Sequence, residues 1–275
     1  MYMRSLKEER KEVFNMEHFR IMKYLKTLVI GDLHIPFIDY SCLELVLAFI
    51  RWWKPKCIVI NGDALDCWAL SKFSKDPSRA LDVKPEIDLA KRILLRIKRA
   101  AGPDCKIIYL FGNHEFRFYS YVTSNAPAIH SLISLKQELA IEGIKVIDHQ
   151  SREQYMQMGE FLIGHFHKVN QHSAYTAKNL VSAKVKSLIQ GHTHRMGMYT
   201  VSTFSGLFQG FEGGCLCHDT YVQSPNWQQG FITLEPYNNG TECNVFPVLI
   251  NRSSGFKHFS YQGKIFRRKE IPLST

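Results

Sequence analysis

A chain of 275 residues suits one large domain or two small ones and can bury a sizeable core. Hydrophobic residues at 45% and charged residues at 22% exclude a disordered or fibrous chain. A formal net charge of +10 favours anionic partners such as nucleotides or nucleic acid, and is silent on fold.

In chain order, residues 1–25 read as a charged helical arm. The opening run "MYMRSLKEERKEVFNMEHFR" has no apolar core of a secretion signal. No later run approaches the roughly 20 apolar residues of a membrane span. Seven scattered cysteines without a CxxC pair fit a reducing compartment, so a cytoplasmic protein is expected. Their one dense spot, "CLCH" at Cys215–His218, lacks a second ligand pair for a zinc knuckle and reads as buried thiols.

An alternation then begins. "KTLVIGD" predicts a strand, "SCLELVLAFIRWW" a helix with Ser41 as N-cap, and "KCIVINGD" a second strand. Residues 67–84 read as a long loop. "KPEIDLAKRILLRIKRA" predicts an amphipathic helix stopped by Gly102 and Pro103, and "CKIIYLFGNHE" a third strand. This is the βαβ pattern of an α/β protein with a mainly parallel sheet. "GEFLIGH" and "KSLIQGH" add short strands around a helix in "HSAYTAKNLVSAKV". From residue 196 the chain is β-rich, with a hairpin in "GFITLEPYNNGTECNVFPVLI" turning at Asn-Gly.

Polar clusters close five of these runs: "GDLH", "NGDALD", "GNHE", "IGH" and "QGHTH". In parallel sheets ligands collect beyond the carboxyl ends of the strands, so these clusters meet along one edge. Asp32, His34, Asp63, Asn113, His165, His192 and His194 form a mixed oxygen and nitrogen donor set. The set is too large for one ion and suits two, with Asp63 placed to bridge them. A single Gly-Asp turn or strand-end His is ordinary; the coincidence of all five in one register is not.

This ordered set of motifs resembles the calcineurin-like metallophosphoesterase superfamily over residues 26–195. The resemblance implies a four-layer αββα sandwich with two facing sheets and flanking helices, forming a single domain over residues 1–275 with a β-rich portion over 196–275. It implies a dinuclear centre in which Asp32, His34 and His194 hold one ion, Asn113, His165 and His192 the other, and Asp63 both. It also implies that His114 is a general acid rather than a ligand, oriented by the Asp66 carboxylate. Oxygen and nitrogen donors without sulfur point to Mn²⁺, with Fe, Zn²⁺ or Ni²⁺ as alternatives. The runs "FEGGCLC" and "PNWQQGF" further resemble a phage and prophage subgroup.

Two positions depart from the family pattern. Cys67 stands where phosphoprotein phosphatases of the family carry a phosphate-gripping Arg. His165 is followed by Phe166 and His167 rather than Gly, which makes His167 a rival ligand. Arg117 and Arg195 are candidates to grip substrate phosphate, or plain surface charges. The aromatics of "FRFYSY", Phe116–Tyr121, suit either base stacking or core packing, and the basic tail Lys257–Lys269 either nucleic-acid contact or a solvated strand. The expected function is metal-dependent hydrolysis of a phosphate ester, leaning to phosphodiesters of nucleic acid or nucleotides. The alternatives are a phosphomonoesterase and a non-catalytic nucleic-acid-binding module.

Overall fold

Apolar runs such as "TLVI" and "CIVIN" have no polar face to leave in water, and each becomes a strand buried throughout. The computed structural model describes residues 20–21, 23–72, 82–148, 155–218 and 225–272. Most of the expected N-terminal arm and residues 73–81 of the expected long loop lie outside them.

The elements follow as β1 (Arg20–Ile21), β2 (Thr27–Ile30), α1 (Tyr40–Trp53), β3 (Cys57–Asn61), α2 (Lys84–Ala101), β4 (Lys106–Leu110), α3 (Asn113–Asn125), α4 (Leu135–Glu138) and β5 (Ile144–Ile147). Then come β6 (Tyr155–Met158), β7 (Phe161–Gly164), α5 (Tyr175–Lys184), β8 (Ser187–Gln190), β9 (Met196–Thr203), β10 (Gly206–Gly213), β11 (Gly230–Tyr237) and β12 (Glu242–Leu249). The chain closes with β13 (Asn251–Ser253), β14 (Phe256–Tyr261) and β15 (Lys264–Lys269).

The strands form two six-stranded sheets, ordered β1-β6-β7-β8-β10-β9 and β12-β11-β2-β3-β4-β5, and a three-stranded sheet β13-β14-β15. Alternation along each strand divides the core into layers. In β2, β3 and β4, Val29, Val59 and Ile108 join Met156, Ile163 and Ile189 from the other sheet in one apolar cluster. Their neighbours Ile30, Ile60 and Tyr109 turn the other way, into the cluster formed with α1 and α2. Leu162 of β7 and Leu188 of β8 pack with Leu180 and Val181 of α5. Helices, sheet, sheet, helix is the four-layer α/β architecture expected.

The β-rich second half completes both sheets. β10 pairs with β8 and β9, and the β11–β12 hairpin adds to the edge at β2. The small third sheet lies on α1, where Phe49 meets Phe259, Tyr261 and Phe266 with ring centroids 5.8, 5.1 and 5.6 Å apart.

The first helix starts differently from expectation. Asp39, not Ser41, is its N-cap, accepting from the N–H groups of Ser41 and Cys42 at 2.9 and 3.1 Å. A carboxylate spans two orphan donors better than a hydroxyl does. Asp39 is itself buried, paired with the ammonium of Lys257 from the third sheet. Part of the basic tail is therefore a core ion pair. Gly102 ends α2 as expected. Among the described residues no helix is long and apolar enough to cross a membrane.

Candidate metal centre

The parallel registers of β2, β3 and β4 bring their carboxyl ends level, and β7 and β8 do the same in the facing sheet. The chain beyond these ends runs side by side. Asp32 N–H donates to Gly62 O and His34 N–H to Asp63 O, both at 3.0 Å. Asp32, His34, Asp63, His192 and His194 all take left-handed φ, between 44° and 71°. L-residues reach that region only when their surroundings impose it, and such strain gathers at functional sites.

The sequence-expected donors converge on one another. Asp63 Oδ2 lies 3.1 Å from His165 Nε2 and 3.9 Å from His34 Nε2, facing both halves of the cluster. Asp32 Oδ1 is 3.1 Å from His194 Nε2, and the Nε2 atoms of His34 and His194 are 2.9 Å apart. Asn113 Oδ1 is 3.1 Å from His165 Nε2. The ligand atoms of Asp63, His165 and His192 lie within 4.8 Å of one another, as do those of His34, Asp63 and His114. His167 also packs against the cluster, its ring centroid 6.3 Å from that of His165 and 5.9 Å from that of His192.

Local bonds aim the rings. His165 Nδ1 meets Asn61 O at 2.9 Å and His34 Nδ1 meets Asp66 Oδ1 at 3.2 Å, which turns both Nε2 atoms inward. His192 N–H donates to both Asp32 carboxylate oxygens at 3.1 Å. Gly191 leaves room for this approach, since a Cβ there would lie 2.9 Å from Asn61 O, Asp32 Oδ2 and His165 Nδ1.

Burial raises the Asp32 and Asp63 carboxyls, but imidazoles outweigh it (His194 and His165 for Asp32, His114 and His165 for Asp63), holding both well below the usual range. Burial pushes the other way on His34, yet the carboxylates of Asp32, Asp66 and Asp63 carry it up to about 10. The same balance, with Asp63 and Asp32 winning over burial, takes His165 to about 9. Burial and the nearby His165 charge lower His192 to about 3. Carboxylates and imidazoles thus balance one another's charge here, a balance that divalent cations would take over. The donor set fits such cations: carboxylate, amide oxygen and imidazole, convergent and buried.

His114 stands at the rim. Its Nε2 is 3.7 Å from Asp63 Oδ2, and its Nδ1 meets the main-chain carbonyl of Asp66 at 2.7 Å. The Asp66 carboxylate is closer to His34 Nδ1 than to His114 Nδ1, at 3.2 against 3.5 Å. Asp66 therefore serves two imidazoles, one through each kind of oxygen. Arg117 Nη1 donates to the same Asp66 carbonyl at 2.8 Å, and Nη2 sits 2.9 Å from His114 Nε2. Arg195 is buried, its guanidinium donating to the carbonyls of Gln171 and Asn170, so it pins that loop.

Three contributors escaped the sequence. Glu115 accepts from three backbone N–H groups and a tyrosine hydroxyl beneath the site. Cys217 Sγ lies 3.9 Å from His194 Nδ1 and within 4.8 Å of donor nitrogens of both His34 and His194. Trp227 packs against His194 with ring centroids 4.1 Å apart. "CLCH" flagged Cys217 only as a dense spot. Cys67 is a fully buried thiol whose N–H donates to Glu86 at 2.8 Å, with no side chain there to reach a phosphate.

A family model described as calcineurin-like phosphoesterase matches residues 25–196. The Gene 54 protein of Mycobacterium phage D29 is 30% identical over 248 residues, covering 83% of this chain and 96% of that protein. The Gene 54 protein of Mycobacterium phage L5 is 28% identical over 259 residues, covering 88% and 98%. These bear out the expected kinship with phage-encoded proteins. Among solved structures, a single mutant of Vps29 from Entamoeba histolytica aligns over 90% of this chain and 100% of its own, at 17% identity and a TM-score of 0.40.

Proposed function

The chain belongs to the calcineurin-like phosphoesterase family, and from that premise we propose that it is a metal-dependent hydrolase of phosphodiesters in nucleic acid or nucleotides. The observation that carries the reading is the convergence of strand-end donors on Asp63, whose Oδ2 faces His165 Nε2 at 3.1 Å and His34 Nε2 at 3.9 Å. We assign Asp32, His34 and His194 to one divalent cation, Asn113, His165 and His192 to a second, and Asp63 to both. Divalent cations held there supply Lewis-acid polarisation of a phosphoryl oxygen and a water of lowered pKa. The oxygen-and-nitrogen donor set favours Mn²⁺.

The protein's own groups do the rest. Asp66 O accepts a hydrogen bond from His114 Nδ1–H, and Nε2 lies between Arg117 Nη2 at 2.9 Å and Asp63 Oδ2 at 3.7 Å. Once substrate draws the Arg117 guanidinium from Nε2 to its phosphate, a proton on Nε2 passes to the departing ester oxygen, which matters most for a poor leaving group such as the alkoxide of a diester. Arg117, oriented by the Asp66 carbonyl, presents its guanidinium to a phosphate oxygen. Arg195 holds the 170–171 loop rather than substrate. The chain acts as one catalytic unit over residues 1–275. Its seven free cysteines support a reducing, cytoplasmic setting.

Chelated protein resupplied with Mn²⁺ should hydrolyse bis-p-nitrophenyl phosphate, and Asp63→Asn should not. Cleavage of p-nitrophenyl phosphate alone would replace the diesterase by a phosphomonoesterase. Inertness toward both esters with two metals bound would make it a binding module.

A further inference from the structure

The aromatics of "FRFYSY" divide between two surroundings. Phe118 and Tyr119 pack against the main core. Phe116 and Tyr121 instead line a cleft of about 580 Å³ together with Asn113 and Arg117. Tyr121 is 46% exposed, so its ring is open to a ligand in the cleft. Lys72 and His167 also border the cleft, and among the described residues no carboxylate lines it.

The cleft is continuous with the metal centre and longer than one phosphate needs. Asn113, at one end, touches His165; Asn125, at the other, ends α3. Twelve helical steps of about 1.5 Å make roughly 18 Å. Ser120 and Ser124 add hydroxyls along it. A cationic track with rings on its wall is the chemistry that holds unpaired bases, since every base offers a π-face while a duplex hides its faces.

We propose that this cleft is the subsite for single-stranded nucleic acid flanking the scissile phosphate, with Tyr121 and Phe116 stacking on bases and Lys72 and Arg117 meeting the backbone. The proposal rests on the phosphodiesterase reading, because the cleft opens onto the centre assigned there.

The test measures binding, so it separates from the test of hydrolysis. The full chain with Mn²⁺, carrying His114→Ala so that the strand survives, is titrated into fluorescein-labelled dT10 and rU10, read by anisotropy. Adding Tyr121→Ala should weaken binding about 5- to 100-fold, while Tyr121→Phe keeps it within about twofold. Lys72→Gln should lower the salt slope by about one. DNA binding without RNA binding, or the reverse, assigns the sugar. No binding of either strand overturns the proposal, as does Tyr121→Ala within twofold of its parent or Tyr121→Phe falling with it. Hydrolysis of the diester by wild type would stand in all these cases, and its failure would leave the binding result readable.

Discussion

Glu115 holds Asp63 by the backbone: its Oε2 accepts the Asp63 N–H at 3.1 Å, fully buried beneath the metal centre. The same carboxylate accepts from Leu65 N–H at 2.9 Å, Gly112 N–H at 2.7 Å and Tyr109 hydroxyl at 2.7 Å. It ties the loop after β3 to the start of α3, so Asp63 and Asn113 move as one. Glu115→Ala orphans buried donors, each costing about 1–3 kcal/mol. With four donors orphaned, a loss of about 4 kcal/mol or more is expected, read by urea denaturation. Glu115→Gln should fall between, because the amide nitrogen replaces an acceptor oxygen with a donor facing donors.

Glu86, one layer out, sets a pH dependence. Burial, with the Asp66 charge adding to it, lifts its carboxyl from an ordinary 4.5 to about 8 despite the Cys67 N–H. The unfolded chain releases this proton near 4.5 and the folded chain near 8. Between those values the folded state binds more protons, so stability falls as pH rises. Glu86→Gln keeps an acceptor for Cys67 and removes the ionisation. Its Tm should match wild type near pH 4 and exceed it by a widening margin up to about pH 8. A constant offset at all pH would reject this account.

Gly112 is required for space. A Cβ there would lie 2.2 Å from Asp63 Oδ1 and 2.6 Å from Asp63 N. Oδ1 also accepts the His114 N–H at 2.8 Å, so the carboxylate has little room to yield. Gly112→Ala should displace the Asp63 carboxylate by about 1 Å. Misplacement on that scale costs about 10²-fold in rate. Steady-state kinetics on the diester, beside metal content by elemental analysis, checks it.

Much of this centre was legible because its donors follow apolar runs. Once "LVI", "IVI" and "FLI" are read as strands of parallel pairs, Asp32, Asp63 and His165 fall at one edge without further knowledge. His165 directly follows its strand, and its Nδ1 finds Asn61 O at 2.9 Å, which turns Nε2 toward Asp63 Oδ2 at 3.1 Å. The clamp at Glu115 was hidden, since it joins segments about fifty positions apart through backbone groups that sequence does not distinguish. Asp39 as helix cap and Lys257 as its partner were hidden likewise, across most of the chain. Cys217 and Trp227 reach His194 because the 215–229 segment folds back through the Cys215–Gln229 bridge. Arg195 read as a surface charge or a phosphate grip and proved to be a buried loop anchor.

His114 and Asp63 stand 3.7 Å apart, yet their replacements should separate cleanly. Asp63 faces both halves of the donor set, so Asp63→Asn should lose metal and activity together. His114 lies at the rim, with its Nδ1 spent on Asp66 O and its Nε2 against Arg117. If it protonates the leaving oxygen, His114→Ala keeps two metals per chain and loses turnover by roughly 10²–10⁴-fold. The deficit should shrink for p-nitrophenolate esters, whose leaving group needs little protonation, and grow for alkyl esters. His114 is also close enough to share a ligand cluster with His34 and Asp63. Elemental analysis therefore decides its role: a variant that empties the site makes His114 a ligand, whatever its rate.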